Sequence, residues 1–347
     1  MMDNFQKPET TFTRKSFCYP SAAKAIISGY KRHFIPLSLL ALSACHTGDQ
    51  CKVSSFGDLI VINDEESPVI EAEINGHKIA LIVDTGAQGS ILWPGEAKKL
   101  GLAANSERLY LRGSGGYTSA GTAVADTIHL GSAAATNVSF MTTGKTSATR
   151  VINGRPVVGL FGNDFLSNYD VVFNLPQHRM NLYTFSGCKE DYLLSWSGWS
   201  GEFFKIRINH PRNDKRKTAV PVKINGHEFD AVLDSGAATT LISRDDALKA
   251  GISKNDLTND QTIDVYGIDQ TKRTGYLHRV NSLEVGPFIF NNPEILIQKT
   301  PTSLLGANFL RTHRVWIPRD PDYIYIQPAE PLSLQNINPA TQQEHTP

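Results

Sequence analysis

One stretch of this chain is written twice. Residues 71–102 (EAEINGHKIALIVDTGAQGSILWPGEAKKLGL) and 221–252 (PVKINGHEFDAVLDSGAATTLISRDDALKAGI) align without a gap at an offset of 150, and ten of the 32 positions are identical. The period is far longer than that of a stacked solenoid, so the chain is a duplicated lobe. A strand-like run precedes each copy, at 58–63 and at 203–208. Each copy also closes alike, with VVGLFGNDFL ending at Leu166 and SLLGANFL ending at Leu310. A strand pair follows each closure, at 169–173 with 180–183 and at 313–317 with 323–326. The expected organisation is a linker at 45–56, one lobe over 57–187, a connector at 188–200 and a second lobe over 201–330. The tail at 331–347 is polar and rich in Gln, Asn and Pro, and is expected to be disordered.

Within each copy the local signals are those of β structure. Short runs of Val, Ile and Leu lie between turn residues. Asn75-Gly76 and Asn225-Gly226 are two-residue hairpin signals. The strands after them, 79–83 and 229–233, run directly into Asp84 and Asp234, and helices are expected at 94–100 and 244–250. His77 and His227 match between the copies but have no second ligand at useful spacing, which favours strand residues over a metal site. With 40% hydrophobic and 20% charged residues, wholesale disorder is excluded. Lys+Arg and Asp+Glu are both 34, so there is no basic footprint for nucleic acid. The cysteines, Cys18, Cys45, Cys51 and Cys188, lack the C-x-x-C spacing of a zinc or thioredoxin-like site.

The N-terminus reads as a processing segment. Lys31 and Arg32 precede an apolar stretch at 34–44 that is broken by Pro36 and too short to span about 30 Å of hydrocarbon. A basic flank, a short apolar core and small residues at its end make residues 1–44 a secretory signal. The run closes in Leu42-Ser43-Ala44-Cys45, which resembles a bacterial lipobox, in which the cysteine is diacylated and becomes the mature N-terminus. An ordinary signal peptide or a buried apolar stretch is the alternative. Residues 1–30 are atypical of a signal and suggest an over-extended start. His46 stands where an inner-membrane retention signal has Asp, which favours a lipid anchor in the outer membrane, facing the periplasm. Loss of Cys18 and lipidation of Cys45 leave Cys51 and Cys188, which an oxidising compartment is expected to pair.

The repeat carries Asp84-Thr85-Gly86-Ala87 and Asp234-Ser235-Gly236-Ala237 at matched places, each between an apolar strand and an apolar exit at 90–92 or 240–242. A single such tripeptide is a common turn. Its recurrence, with Leu-Phe-Gly162 and Leu-Leu-Gly306 downstream of the two copies, is not. Both halves resemble the aspartic-protease superfamily. The D-T-G-A form and compact lobes are similar to retropepsins, and the tandem fusion is similar to pepsin-like enzymes. The resemblance covers nearly all of 57–330. It implies an all-β, bilobal fold of two pseudo-two-fold-related, β-barrel-like lobes with short helices, and it makes Asp84 and Asp234 a catalytic pair. Two neighbouring carboxylates cannot both ionise cheaply, so they share a proton and supply both the base and the acid, with no metal or cofactor. Gly86 and Gly236 let the backbone turn beside each carboxylate. Thr85 and Ser235 match the family's hydroxyls that bond to the opposite lobe, ordinary turn hydroxyls being the alternative.

A hairpin lid is implied at 111–121, with Gly116 and Tyr117 as residues that meet the substrate and Gly267 at the tip of its counterpart in the second copy. Tyr117 packed on a strand is the alternative. A phosphate cradle at this glycine run lacks the Lys-Ser/Thr it would need. The function implied is a monomeric aspartic endopeptidase acting on peptide or protein substrates, against a non-catalytic envelope lipoprotein that keeps the fold to bind peptides. Both aspartates and both glycines are intact, which favours catalysis; lobes exchanged between chains are a third arrangement. Ala87 and Ala237 follow the retropepsin pattern, where pepsin-like enzymes carry a Ser or Thr hydroxyl. Loss of that donor implies a dyad that titrates higher, with an optimum around pH 4–6.

Overall fold

Both Asn-Gly pairs close hairpins. Val69–Ile74 pairs antiparallel with His77–Val83, and Ala219–Ile224 with His227–Leu233. At the turns Asn75 and Gly76 take φ of 48° and 79°, and Asn225 and Gly226 take 50° and 83°, the double left-handed geometry that two-residue hairpins need. His77 and His227 are the first residues of their strands. In this computed structural model the described residues are 5–6, 51–113, 116–144, 150–188, 199, 202–210, 216–266, 272–319 and 322–329. The rest of the expected signal segment at 1–44, Cys45, connector residues 189–198 and 200, Gly267 and the tail at 331–347 lie outside them.

The strands that lead into the aspartates are each gripped by a parallel partner. His77–Val83 pairs with Arg155–Phe161, and His227–Leu233 with Ser303–Leu305. Short strands Ile91–Leu92 and Leu241–Ser243 then return antiparallel to the same partners. The chain therefore passes the closing strand twice, once on each side, with the Asp-Thr/Ser-Gly turn between the passes. The crossing is close: a Cβ at Gly159 would overlap the carbonyl of Ile91. Helices Pro94–Lys99 and Arg244–Lys249 follow, with Leu100 and Ala250 as C-caps. Ser243 caps the second by accepting the Asp246 N–H at 3.1 Å.

The strand pairs that end the copies build one sheet between the lobes. Its order is Phe204–Arg207, Tyr323–Pro328, His313–Ile317, Asp170–Asn174, Arg179–Ser186, Lys52–Ile60. The seam joins the copies, with Val171 opposite Ile317, Val172 opposite Trp316 and Phe173 opposite Val315. Lys52–Ile60 begins inside the stretch expected to be linker, because its first residues pair with Ser186, Phe185 and Thr184. The expected Cys51–Cys188 disulfide is present at that edge. Trp199, in the expected connector, is buried with Val172, Trp316 and Tyr325. One apolar core runs through both lobes, from Phe56 and Ile70 to Leu305 and Ile326. Each fully buried large side chain in it contributes on the order of 1.5–3 kcal/mol. The fold is the all-β bilobal architecture that the family resemblance implies.

Candidate active site

Asp84 and Asp234 end matched strands, and their backbones are fixed by the closing strands: Asp84 N donates to Phe161 O and Asp234 N to Leu305 O, both at 2.9 Å. The turn after each aspartate folds its backbone N–H groups back on the carboxylate. Asp84 Oδ1 accepts from Gly86 N (2.9 Å) and Ala87 N (2.8 Å), whereas Asp234 Oδ1 accepts from Gly236 N alone (2.9 Å). The two carboxylates are hydrogen-bonded to each other across the lobe junction. A Cβ at Gly86 would overlap the Asp234 carboxylate, and one at Gly236 the Asp84 carboxylate. Glycine is required here by close approach, since neither residue has positive φ.

Thr85 and Ser235 hold these turns from opposite lobes. Thr85 Oγ1 donates to Leu233 O (2.7 Å) and accepts Ser235 N–H (2.9 Å). Ser235 Oγ donates to Val83 O (2.8 Å) and accepts Thr85 N–H (3.0 Å). Both residues are buried, so these hydroxyls are not ordinary turn groups. The loops are braced from behind as well. Asn163 N donates to Ala87 O at 2.9 Å and Ala307 N to Ala237 O at 2.7 Å. Gly162 N donates to Ser90 Oγ at 2.9 Å, and Gly306 N to Thr240 Oγ1 at 3.3 Å.

The electrostatics separate the two carboxylates. Burial raises both above the ordinary carboxylate range, and the Asp84 charge pushes Asp234 further up. The Gly86 and Ala87 N–H groups oppose the rise at Asp84, and the Asp234 hydrogen bond lowers Asp84 while raising Asp234. The Lys217 ammonium pulls both down. The arrangement favours one proton shared by the pair, and the second backbone donor on Asp84 favours the negative charge there.

The lid expected over the first copy is a hairpin of Ala103–Gly113 and Gly116–Leu130. Gly116 opens the second strand opposite Gly113, and Tyr117 lies opposite Arg112 with 78% of its surface exposed. The counterpart hairpin is Gln261–Tyr266 with Lys272–Arg279, and Gly267 at its expected tip lies outside the described residues. Three supporting residues were not read from the sequence. Ser67 Oγ donates to Gly236 O at 2.8 Å, and Asn163 Nδ2 donates to Thr85 O at 2.6 Å. Lys217 occupies the position that matches Ser67 at the repeat offset. That offset, carried four residues upstream of the aligned stretch, was the signal that could have marked Ser67 and Lys217.

A family model described as aspartyl protease matches residues 70–165 and 220–309, together more than half of the chain. No curated protein matches it.

Proposed function

The chain belongs to the aspartyl protease family, and on that premise we propose that it is an endopeptidase that hydrolyses peptide bonds with a water held between Asp84 and Asp234. The observation that carries this reading is the unequal hydrogen bonding of the pair, two backbone donors on Asp84 against one on Asp234. Asp84, the better-stabilised anion, takes a proton from the water as its oxygen bonds to the scissile carbonyl carbon. Asp234 gives its proton to the carbonyl oxygen, which leaves a neutral geminal diol. On collapse the proton on Asp84 passes to the amide nitrogen as the C–N bond breaks, and a diol hydroxyl returns its proton to Asp234. The peptide would lie extended between the dyad and the hairpin that carries Tyr117.

The test is cleavage of a fluorogenic peptide library by the wild type and by Asp84→Asn and Asp234→Asn. Each variant should lose activity by at least about 10²–10⁴-fold, the scale of one general acid or base, while keeping its thermal unfolding transition. Mixing the two variants should restore nothing, because the pair is complete within a monomer; recovery would point to lobes exchanged between chains. Peptide binding without cleavage by the wild type would favour the non-catalytic reading.

For location, we propose that Cys45 is lipidated and that the protein faces the periplasm from the outer membrane of a bacterial envelope. The Cys51–Cys188 disulfide supports an oxidising compartment. A Cys45→Ser variant should leave the membrane fraction; continued sedimentation with membranes would sink the lipobox reading.

A further inference from the structure

Each strand that delivers an aspartate is held at its end by a carbonyl upstream of it. Val83 N donates to Pro68 O at 2.8 Å, and Leu233 N to Thr218 O at 2.9 Å. Ser67 and Lys217, the residues just before these carbonyls, therefore occupy equivalent places beside the two aspartate turns. Ser67 shows what such a place faces: its hydroxyl crosses to the other lobe and donates to Gly236 O at 2.8 Å, in the turn that carries Asp234. In the second copy the same place holds a compact cation on a flexible four-carbon stem. Thr218 beside it is buried and Lys217 itself half-buried, with the Lys217 carbonyl 3.2 Å from His210 Nδ1. Among the described residues the Lys217 ammonium forms no hydrogen bond and no ion pair.

We propose that Lys217 is a positioning residue for the dyad: from the second lobe its ammonium holds negative charge on Asp84 and Asp234, and so sets the pH range over which the pair carries a single proton. The inference rests on the peptidase reading for its consequence in catalysis, though not for the titration itself. A nearby cation favours the ionised form of a carboxylate, and the Lys217 charge lowers both aspartates against the burial that raises them. Ser67 supplies no such charge. The cation on the Ser67 side is Arg311, which donates to Asn63 O (3.2 Å), Glu65 O (2.8 Å) and Glu66 O (3.0 and 2.9 Å). There the charges of Asp64, Glu65 and Glu66 act on it. The other ionisable groups around Lys217 are His210 at its carbonyl, Arg216 next to it in the chain, and Arg319, whose charge acts on Asp170. Behind the Asp84 turn, Asp164 accepts from Ser90 Oγ at 2.7 Å. The stretch at 211–215, with Arg212, Asp214 and Lys215 in its sequence, lies outside the described residues.

The experiment is an NMR titration of the purified protein with ¹³C-labelled aspartate carboxyls, the signals of the pair being assigned through Asp84→Asn and Asp234→Asn. Lys217→Met and Lys217→Ser, which installs the residue of the first copy, should each raise both midpoints of the pair by about half a pH unit or more, the scale of one unit charge at an effective dielectric between protein and water. Lys217→Arg should restore the wild-type midpoints, and Arg216→Met should move them less than half as far. In peptide cleavage both limbs of kcat/KM should follow. On the acid side of the profile the neutral variants should be about threefold less active than wild type, each scaled to its own maximum. Midpoints unchanged in both neutral variants, raised as far by Lys217→Arg, or moved equally by Arg216→Met would overturn the proposal. A wild type that cleaves no peptide would sink the peptidase reading instead and leave the titration to decide this one.

Discussion

Thr85 and Ser235 hold each other's backbone from opposite lobes: each hydroxyl accepts the other's N–H, at 2.9 and 3.0 Å, and donates to the carbonyl just before the other's aspartate, at 2.7 and 2.8 Å. The two aspartate turns are therefore fixed relative to each other, the kind of preorganisation that the proposed hydrolysis would use.

Thr85→Val keeps the shape and removes both bonds of that hydroxyl. It leaves the Ser235 N–H and the Leu233 carbonyl buried without a partner, a cost of about 2–4 kcal/mol in urea unfolding. The value of kcat/KM should fall by tenfold or more as the turns loosen. Thr85→Ser, which retains the hydroxyl, should recover most of both. A valine variant with wild-type stability would show that the grip contributes little.

The pH profile follows from the dyad. Burial holds Asp84 and Asp234 above the ordinary carboxylate range, and the Asp84 charge adds to the rise at Asp234. A raised pair gains its first negative charge, and loses its shared proton, at higher pH, so both limbs of kcat/KM move up together. The optimum is expected around pH 4–6, above what the reference pepsin values of about 1.5 and 4.7 would give. Ala87→Ser combined with Ala237→Thr adds a donor beside each ionised carboxylate and should move the acid limb down. An acid limb that stays put would mean that the backbone N–H groups already set it.

Asp170 links pH to stability. Burial pushes its carboxyl up to about 6, with the Arg319 charge acting against the rise. Its folded value lies above its unfolded one, so the stability it contributes is complete below about pH 4 and is lost as pH climbs through 6. A shift of this size is worth about 3 kcal/mol at most. Unfolding free energies from pH 4 to 7.5 should fall in the wild type and fall less in Asp170→Asn. Parallel curves would show that Asp170 does not carry the dependence.

The Cys51–Cys188 bond closes a span of 137 residues, for which the chain-entropy account gives about 4–5 kcal/mol. Reduction should lower the unfolding midpoint, and alkylation with mass analysis should find two more reactive thiols after reductant than before. Equal thiol counts in both samples would contradict the pairing.

The lobes, their hairpins, both helices and the dyad were legible in the chain because each rests on neighbours in sequence. Asn-Gly pairs set their own turn geometry, strand alternation is local, and an offset of 150 doubles every signal. The disulfide was legible by elimination among four cysteines. What the repeat could not say is how its two copies meet. Val172 opposite Trp316, Arg311 in the 63–66 loop and Ser67 on Gly236 are contacts across 144 to 248 residues, set by packing. The same holds for the departures from symmetry. Arg311 and Ser167 follow matched helices, and Ser67 and Lys217 precede matched strands, yet their side chains differ in reach and charge. Aligned copies predict a symmetric junction. Only the tertiary structure shows which of each matched pair reaches across that junction, because that depends on the length of one side chain against the loop of the other lobe.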